Sequence, residues 1–445
     1  MRKQSLKLLR TNAAGIDVAS EEHYVAVPED RSKEPVKKFG TYTEDIHAMA
    51  KWLKSCKIDT VAMESTGIYW IQLFLILEEY GFDVFLVNAR HIKNVSGRKS
   101  DVLDCQWIQQ LHSFGLLNAS FQPDSLIREL RTYLRHRKSL TESYSREVLH
   151  MQKAFEQMNI KLHNVLTDIC GKTGQLIIRD ILAGEFDPET LVNHVDPNVK
   201  TSKEEIKKSL TGNWREENLF ELRQAHELYL TFKKKITACD LQIEKVLKKL
   251  QSNKSPQHNF TEPGNKRKVY SKNRLNFNGT QYLKQILGVD VTNIFGISEL
   301  TAVEIISETG MDMSKWQTSK HFVSWLNLAP NNRISGGKLL RPKKSKKKNK
   351  AGQAFQMAAY SIQRSDHWLG HYYRRIKSRS GPQIATKATA RKIAIIFYNM
   401  LSKRCEFEPV PLEEYLQNFK LQKLKYLHKQ ASLMGFEITE KQCVS

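Results

Sequence analysis

The chain has few of the features that would mark a secreted, membrane-bound or zinc-stapled protein. Its six cysteines, Cys56, Cys105, Cys170, Cys239, Cys405 and Cys443, are scattered without a CxxC pair, which argues against a zinc ribbon or a disulfide framework. The longest apolar runs, Ile68–Leu77 and Ile393–Tyr398, fall short of the roughly 20 residues that a spanning helix needs. The opening segment MRKQSLKLLRTNAAGIDV is basic but holds no apolar core of signal-peptide length. The 14 histidines show no metal-ligand spacing. Acidic residues are also scarce: 47 Asp and Glu stand against 70 Lys and Arg, a net charge of +23. Such an excess favours a polyanionic partner, because each phosphate that is neutralised releases condensed counterions. The expected setting is cytoplasmic and reduced, with access to a bacterial or archaeal chromosome and no membrane.

What is present divides the 445 residues into several parts. From residue 12 to 117, strand-like and helix-like patterns alternate. Strands are expected at Ala14–Val18, His23–Val27, Val36–Thr41, Ile58–Met63 and Phe82–Val87, and helices at Thr43–Lys57, Tyr69–Tyr80 and Asp101–Phe114. The order βββαβαβα predicts a three-layer α/β domain with a mixed sheet over residues 1–124. Trp70, Tyr69 and Trp107 are expected in its core. Two heptad seams follow, Tyr144 to Ile169 and Leu222 to Leu250. Each implies a helix roughly 40 Å long, and together they predict an antiparallel coiled-coil hairpin over 125–255 with a small helical tip. A basic linker at 256–281 leads to a mostly helical domain at 282–405 and a helical, peripheral tail at 406–445. In the helical domain, IFGISELTAVEIISETG has a helix–Gly-turn–helix pattern like a helix-hairpin-helix, whose turn amides could hold a phosphate; Trp316 and Trp325 are expected to pack inside.

Four acids fall where an α/β nuclease domain would want them. Asp17 ends the first strand in AGIDVAS, Glu64 ends a later one in VAMESTG, and Asp101 and Asp104 open a helix three residues apart in KSDVLD, so both leave one face. Strand ends and a helix start can converge at one edge of a sheet. Four carboxylates there repel one another unless cations balance them, and hard oxygen donors suit Mg²⁺ or Mn²⁺. Two such ions can polarise a phosphodiester and stabilise both the attacking and the leaving oxygen. Taken singly the acids have plainer roles: Asp101 and Asp104 favour a helix start, and Glu64 could cap a turn with Ser65. Asp17 is harder to explain away, because it lies within an apolar strand.

Toward the C-terminus stands LNLAPNNRISGGKLLRPKKSKKKNKAG. Eight of the thirteen residues from Lys338 to Lys350 are Lys or Arg, too dense for an ordinary solvated face. Ser335 before Gly336 and Gly337 offers a hydroxyl on a backbone able to approach a phosphate, although such a serine is often only a turn residue. Serine alone is a poor nucleophile and needs a metal or base to activate it. Candidate contacts to nucleic acid are Arg98 and Lys99 before the helix aspartates, Lys266, Arg267 and Lys268 in the linker, and Gly336, Gly337, Lys338, Arg341, Lys343 and Lys344 around the serine.

These motifs carry a resemblance over roughly residues 10–403. GIDVAS, MESTG and KSDVLD look like the DEDD-type transposases of the insertion-sequence one-ten family; ISGGK resembles the family's serine motif, AGQAFQMAAYSIQRSD the helix after it, and GNWREENLF and ACDLQIE its helical segments. Relatives more usually carry a mixed sequence around a Lys-Arg-Gly turn where this chain has polylysine. The resemblance implies an RNase H-like first domain similar to Holliday-junction resolvases, and a metal-binding quartet of Asp17, Glu64, Asp101 and Asp104. It further implies that Ser335 is a nucleophile that becomes covalently linked to DNA, and that a structured RNA encoded by the element pairs with donor and target DNA. Active sites composite between subunits of a homo-oligomer, a dimer and in the synaptic complex a tetramer, are implied too. Two other readings compete with a recombinase. A junction-resolvase-like, structure-specific endonuclease would use the same acids with water as nucleophile. A basic RNA-binding or architectural protein would need no acids near its phosphate path.

Overall fold

The computed structural model describes residues 7–88, 101–252, 273–330, 333–340 and 349–439. They form two compact units, residues 1–122 and 123–445.

The first unit begins with β1 (Ala13–Val18), β2 (Glu22–Ala26) and β3 (Val36–Gly40), then α1 (Thr43–Ser55), β4 (Thr60–Glu64), α2 (Trp70–Glu79), β5 (Asp83–Val87) and α3 (Asp101–Ser113). This is the element order read from the sequence. The five strands form one mixed sheet in the order β3-β2-β1-β4-β5, with β1–β2 and β2–β3 antiparallel and β1–β4 and β4–β5 parallel. Alternation along the strands sorts the side chains into two layers. Ala14, Ile16 and Val18 of β1 join Val61 and Met63 of β4 under the apolar stripes of α1 (Ile46, Met49, Ala50, Leu53) and α2 (Leu73, Phe74, Ile76, Leu77). On the opposite face Ala62 and Val87 pack with Ile108 and Leu111 of α3. Trp70 and Trp107 pack against these cores as expected. Tyr69 does not: it sits at the N-cap of α2 and is 48% exposed.

In the second unit two long helices, α4 (Ser125–Gln157) and α7 (Glu216–Ser252), lie side by side. Their pairs Glu129–Lys249, Arg137–Asp240 and Tyr144–Tyr229 run in opposite directions along the two chains, so the helices are antiparallel. Between them α5 (Lys172–Leu182), α6 (Lys203–Leu210) and shorter turns build a tip whose core includes Met151 and Phe155 of α4 and Leu222 and Tyr229 of α7. The first helix differs in extent from the Tyr144–Ile169 seam. Its helix stops at Gln157, and Asn159 turns the chain with φ of +57°. Leu162 and Ile169 remain buried, but in the tip, because their apolar spacing continues on separate short pieces packed against the same core. In the other direction the helix begins nineteen residues earlier than the seam. Ile127, Leu130, Leu134 and Arg137 are buried on the continuing stripe.

The buried Arg137 explains why that stripe escapes a hydrophobic reading. Its Nε donates to Asp240 Oδ1 at 2.6 Å, and the two side chains are 3% and 1% exposed. Asn273 and the carbonyl of Arg274 accept further bonds from the guanidinium, and Asn276 donates to Asp240 Oδ2. A buried ion pair survives when its remaining hydrogen-bonding capacity is met in this way.

The rest of the second unit contains α8 (Gly279–Leu287), α9 (Glu299–Thr309), α10 (Ser319–Trp325), a hairpin of β6 (Arg333–Ser335) and β7 (Lys338–Leu340), α11 (Lys350–Ser361), α12 (Trp368–Ser380), α13 (Pro382–Lys403) and α14 (Leu412–Leu433). Trp316, Trp325, Phe322, Phe355 and Phe397 make a continuous aromatic cluster within it. The expected helix-hairpin-helix is half present. Only its second helix forms, as α9 behind the N-cap Ser298, while the residues before it make a 3₁₀ turn at Val291–Asn293. Gly296, with φ of +86°, is needed there because a Cβ would lie 2.4 Å from the Ala358 carbonyl oxygen of α11. That turn packs inward on a helix. Helix α14 has no buried residue, in keeping with a peripheral tail.

Candidate active site

The acidic corner of the first unit follows from the register of its strands. Ile16 of β1 lies beside Met63 of β4 in a parallel pair, so the next residues along, Asp17, one residue before the end of β1, and Glu64, the last of β4, stand level with each other. Asp17 shares its face with Ala13 and Gly15, and Glu64 shares its face with Thr60 and Ala62. That is the face covered by α3. A Cβ on Gly15 would lie 2.3 Å from the backbone nitrogen of Gln109 and 2.4 Å from the Cys105 carbonyl oxygen, so only glycine lets the helix lie this close to the sheet.

Helix α3 runs antiparallel to β1 and β4. Near its C-terminal end His112 Nε2 lies 2.8 Å from Thr60 Oγ1, at the start of β4. From His112 back to Asp104 the helix advances about 12 Å, and from Thr60 to Glu64 the strand advances about 13 Å. Asp104 is therefore brought to the level of Asp17 and Glu64, with Asp101 at the head of the helix. The electrostatics agree. Cys105 is fully buried, and its thiol is pushed up to about 12, first by burial and then by the negative charges of Asp17 and Asp104. It stays a neutral thiol beneath the acids. Glu64 Oε1 accepts a 3.0 Å hydrogen bond from Thr66 Oγ1 in the loop after β4, which holds the carboxylate at the strand end.

His112 does other work. Burial drives its pKa down to about 4, with the Arg10 charge adding to the effect, and its ring stands 4.6 Å from that of Phe85. It is a neutral packing residue at the far end of α3 from the acids.

Among the described residues, no three His, Cys, Asp or Glu side chains are drawn together closely enough to hold an ion. Of Asp101 only its place at the head of α3 is described. The candidate donors are nonetheless chemically uniform: Asp17, Glu64, Asp101 and Asp104 are all carboxylates. Such hard oxygen donors fit Mg²⁺ or Mn²⁺ and not a soft ion.

In the second unit Ser335 ends β6 and pairs with Lys338 across the hairpin. Gly336 and Gly337 connect them with φ of +56° and +75°, the left-handed pair that a tight two-residue turn demands. All four residues are exposed, which places the hydroxyl at a protruding tip. The far end of this segment is anchored by Asn349, whose Oδ1 caps α11 by accepting from Gly352 N at 2.9 Å while its Nδ2 donates to the Trp325 carbonyl at 3.0 Å. Arg98, Lys99, Lys266, Arg267, Lys268, Arg341, Lys343 and Lys344 lie outside the described residues.

Gly15, Cys105 and Thr66 were not singled out from the sequence. Gly15 carried a signal, since a lone glycine within an apolar strand often marks a close backbone approach. Nothing local marks Cys105 or Thr66.

Comparison with known proteins bears on both regions. Residues 14–160, which include Asp17, Glu64, Asp101 and Asp104, match a family model described as a transposase of the IS110 DEDD type. Residues 290–374, which include Ser335 and its hairpin, match the model described as Transposase IS116/IS110/IS902 family. No curated protein matches the chain. The two matches describe one family and together span just over half of the residues. The chain belongs to the IS116/IS110/IS902 family of transposases.

Proposed function

We propose that this transposase moves an insertion sequence by cutting and rejoining DNA through a phosphoserine intermediate. The observation that carries the reading is the position of Asp17 level with Glu64 near the ends of parallel strands, with the head of α3 and Asp104 brought to the same level. The strand order β3-β2-β1-β4-β5, with one helix on the face that bears the acids, supports an RNase H-like domain. Asp17, Glu64, Asp101 and Asp104 are the residues that would hold divalent metal. When bound, Mg²⁺ or Mn²⁺ would polarise the phosphate and offset charge on the departing oxygen.

Ser335 attacks the scissile phosphorus. Its Oγ forms a P–O bond as the bridging P–O bond of the strand breaks, and the departing strand end takes up a proton as a hydroxyl. Attack by a hydroxyl of another strand then releases the serine. The phosphodiester is conserved through both steps, so joining needs no nucleotide cofactor. Gly336 and Gly337 keep the backbone around the hydroxyl free of side chains, and Lys338 faces Ser335 across the turn as a cation for the phosphate. The protein works as a homo-oligomer, dimer and then tetramer, on donor and target DNA, with an element-encoded structured RNA as guide; the setting is cytoplasmic.

Ser335→Ala tests this directly. It should abolish a denaturant-resistant protein–DNA adduct and lower strand transfer on the order of 10⁴-fold or more, while leaving DNA binding intact. An adduct of undiminished yield would assign the nucleophile elsewhere. Cleavage by the unaltered protein with no adduct at any time would instead favour water as nucleophile.

A further inference from the structure

The second unit holds a groove of about 1610 Å³ lined by residues of α4, α9, α11, α12 and α13. Six cations line it: Arg135, Lys138, Lys350, Lys387, Arg391 and Lys392. Two acids oppose them, and neither is a free counterion. Glu308 is held by Arg135 through two bonds of 2.9 Å. Glu304 has its acid form favoured by burial. Lys350 is pushed down by burial and then by the like charge of Arg135. On α13 the spacing of Lys387, Arg391 and Lys392 sets three cations along one side of the helix. The Nε of Arg391 is buried and has no hydrogen-bond partner among the described residues. So many like charges in one groove, one with an unused donor, call for an anion.

Two further features identify that anion. The segment that carries Ser335 leaves and rejoins this groove, for Pro330 and Asn349 both line it. Ser335 lies five positions after Pro330, a reach of at most roughly 18 Å. Tyr372 also lines the groove, with Lys392 standing 5.8 Å from its ring centroid. Cations tracking a backbone beside an aromatic ring are the means by which proteins hold single-stranded nucleic acid.

We infer that this groove binds a single strand of DNA by its phosphates, next to the bond that Ser335 attacks. The inference rests on the proposed function only for the link to that bond; the binding site stands on the groove itself. Lys387, Arg391 and Lys392 take the backbone from α13, Lys138 from α4, and Lys350 from the head of α11, while Arg135 neutralises Glu308.

Binding of a 12-nucleotide oligo-dT to the full chain, followed by fluorescence anisotropy over a salt series, tests it. Lys387→Ala, Arg391→Ala and Lys392→Ala combined should weaken binding on the order of tenfold and reduce the salt slope by about 2, as expected for three lost phosphate contacts on a single strand. The control removes equal charge from an exposed stretch of α7, Lys233→Ala, Lys234→Ala and Lys235→Ala, and should change the slope little. Lys387→Glu, at an exposed position where folding is safe, should weaken binding in the same direction. Equal effects of groove and control variants would overturn the inference, as would a loss confined to an RNA of the same length. The readout is binding and not chemistry. An absent adduct with the groove variant still defective sinks the phosphoserine reading alone; a normal adduct with normal binding by the groove variant sinks this one alone.

Discussion

In the first unit Asp17 and Glu64 stand level on adjacent parallel strands, and the charges of Asp17 and Asp104 both reach the buried Cys105 thiol. In the second, an exposed hydroxyl sits on a hairpin whose flanking segments line a groove rich in Lys and Arg. Neither arrangement suffices for phosphodiester chemistry. A carboxylate corner repels phosphate until cations are bound between them, whereas a cationic groove attracts phosphate but has nothing to activate a serine. Under the proposed function, activation would fall to the carboxylates and strand-holding to the groove, and a chain with a net charge of +23 still sets Asp17 and Glu64 level on adjacent strands.

The sharpest way to break that division is Asp17→Asn, which keeps size and removes charge. It should lower strand cleavage on the order of 10²–10³-fold while DNA affinity holds or rises, measured by cleavage kinetics beside anisotropy. Cleavage close to the unaltered rate would take the acidic corner out of the chemistry. A smaller effect concerns buried charge in the helical unit. Asp240→Ala leaves Arg137 buried without its carboxylate and should cost about 3–5 kcal/mol in denaturant unfolding. Arg137→Met together with Asp240→Leu should recover much of that loss; a single variant as stable as the unaltered chain would show that the pair contributes little.

The smallest expected effect separates His112 from the acids it shares α3 with. Its folded pKa of about 4 lies below the ordinary 6.5, so the unfolded chain takes up the proton first as pH falls. The stability this provides is present above pH 6.5 and is lost as pH drops through about 4. His112→Gln should flatten the fall in unfolding midpoint between those limits. An unchanged slope would place the acid sensitivity elsewhere.

Legibility in the sequence followed the length scale of each feature. The order βββαβαβα and the strand-end positions of Asp17 and Glu64 could be read because period-two alternation is local to five or six residues. The apolar seam of α4 could be read only from Tyr144, although the hairpin is expected from 125, because Arg137 occupies a buried position on its stripe and is held there by Asp240, about a hundred residues away. The close approach of the Ala358 carbonyl to Gly296 could not be read, because it depends on how α11 packs against that turn.

The sequence by itself determined the alternation that sorts residues onto two faces of the sheet, the left-handed turn at Gly336 and Gly337, and the overall positive charge. Each of these depends on neighbouring residues or on simple totals. The tertiary structure decided that Asp104 rises to the level of Glu64 and that cations from three separate helices line one groove. Those outcomes depend on how far a helix slides along a sheet and how helices pack, which are set by contacts between residues far apart in the chain.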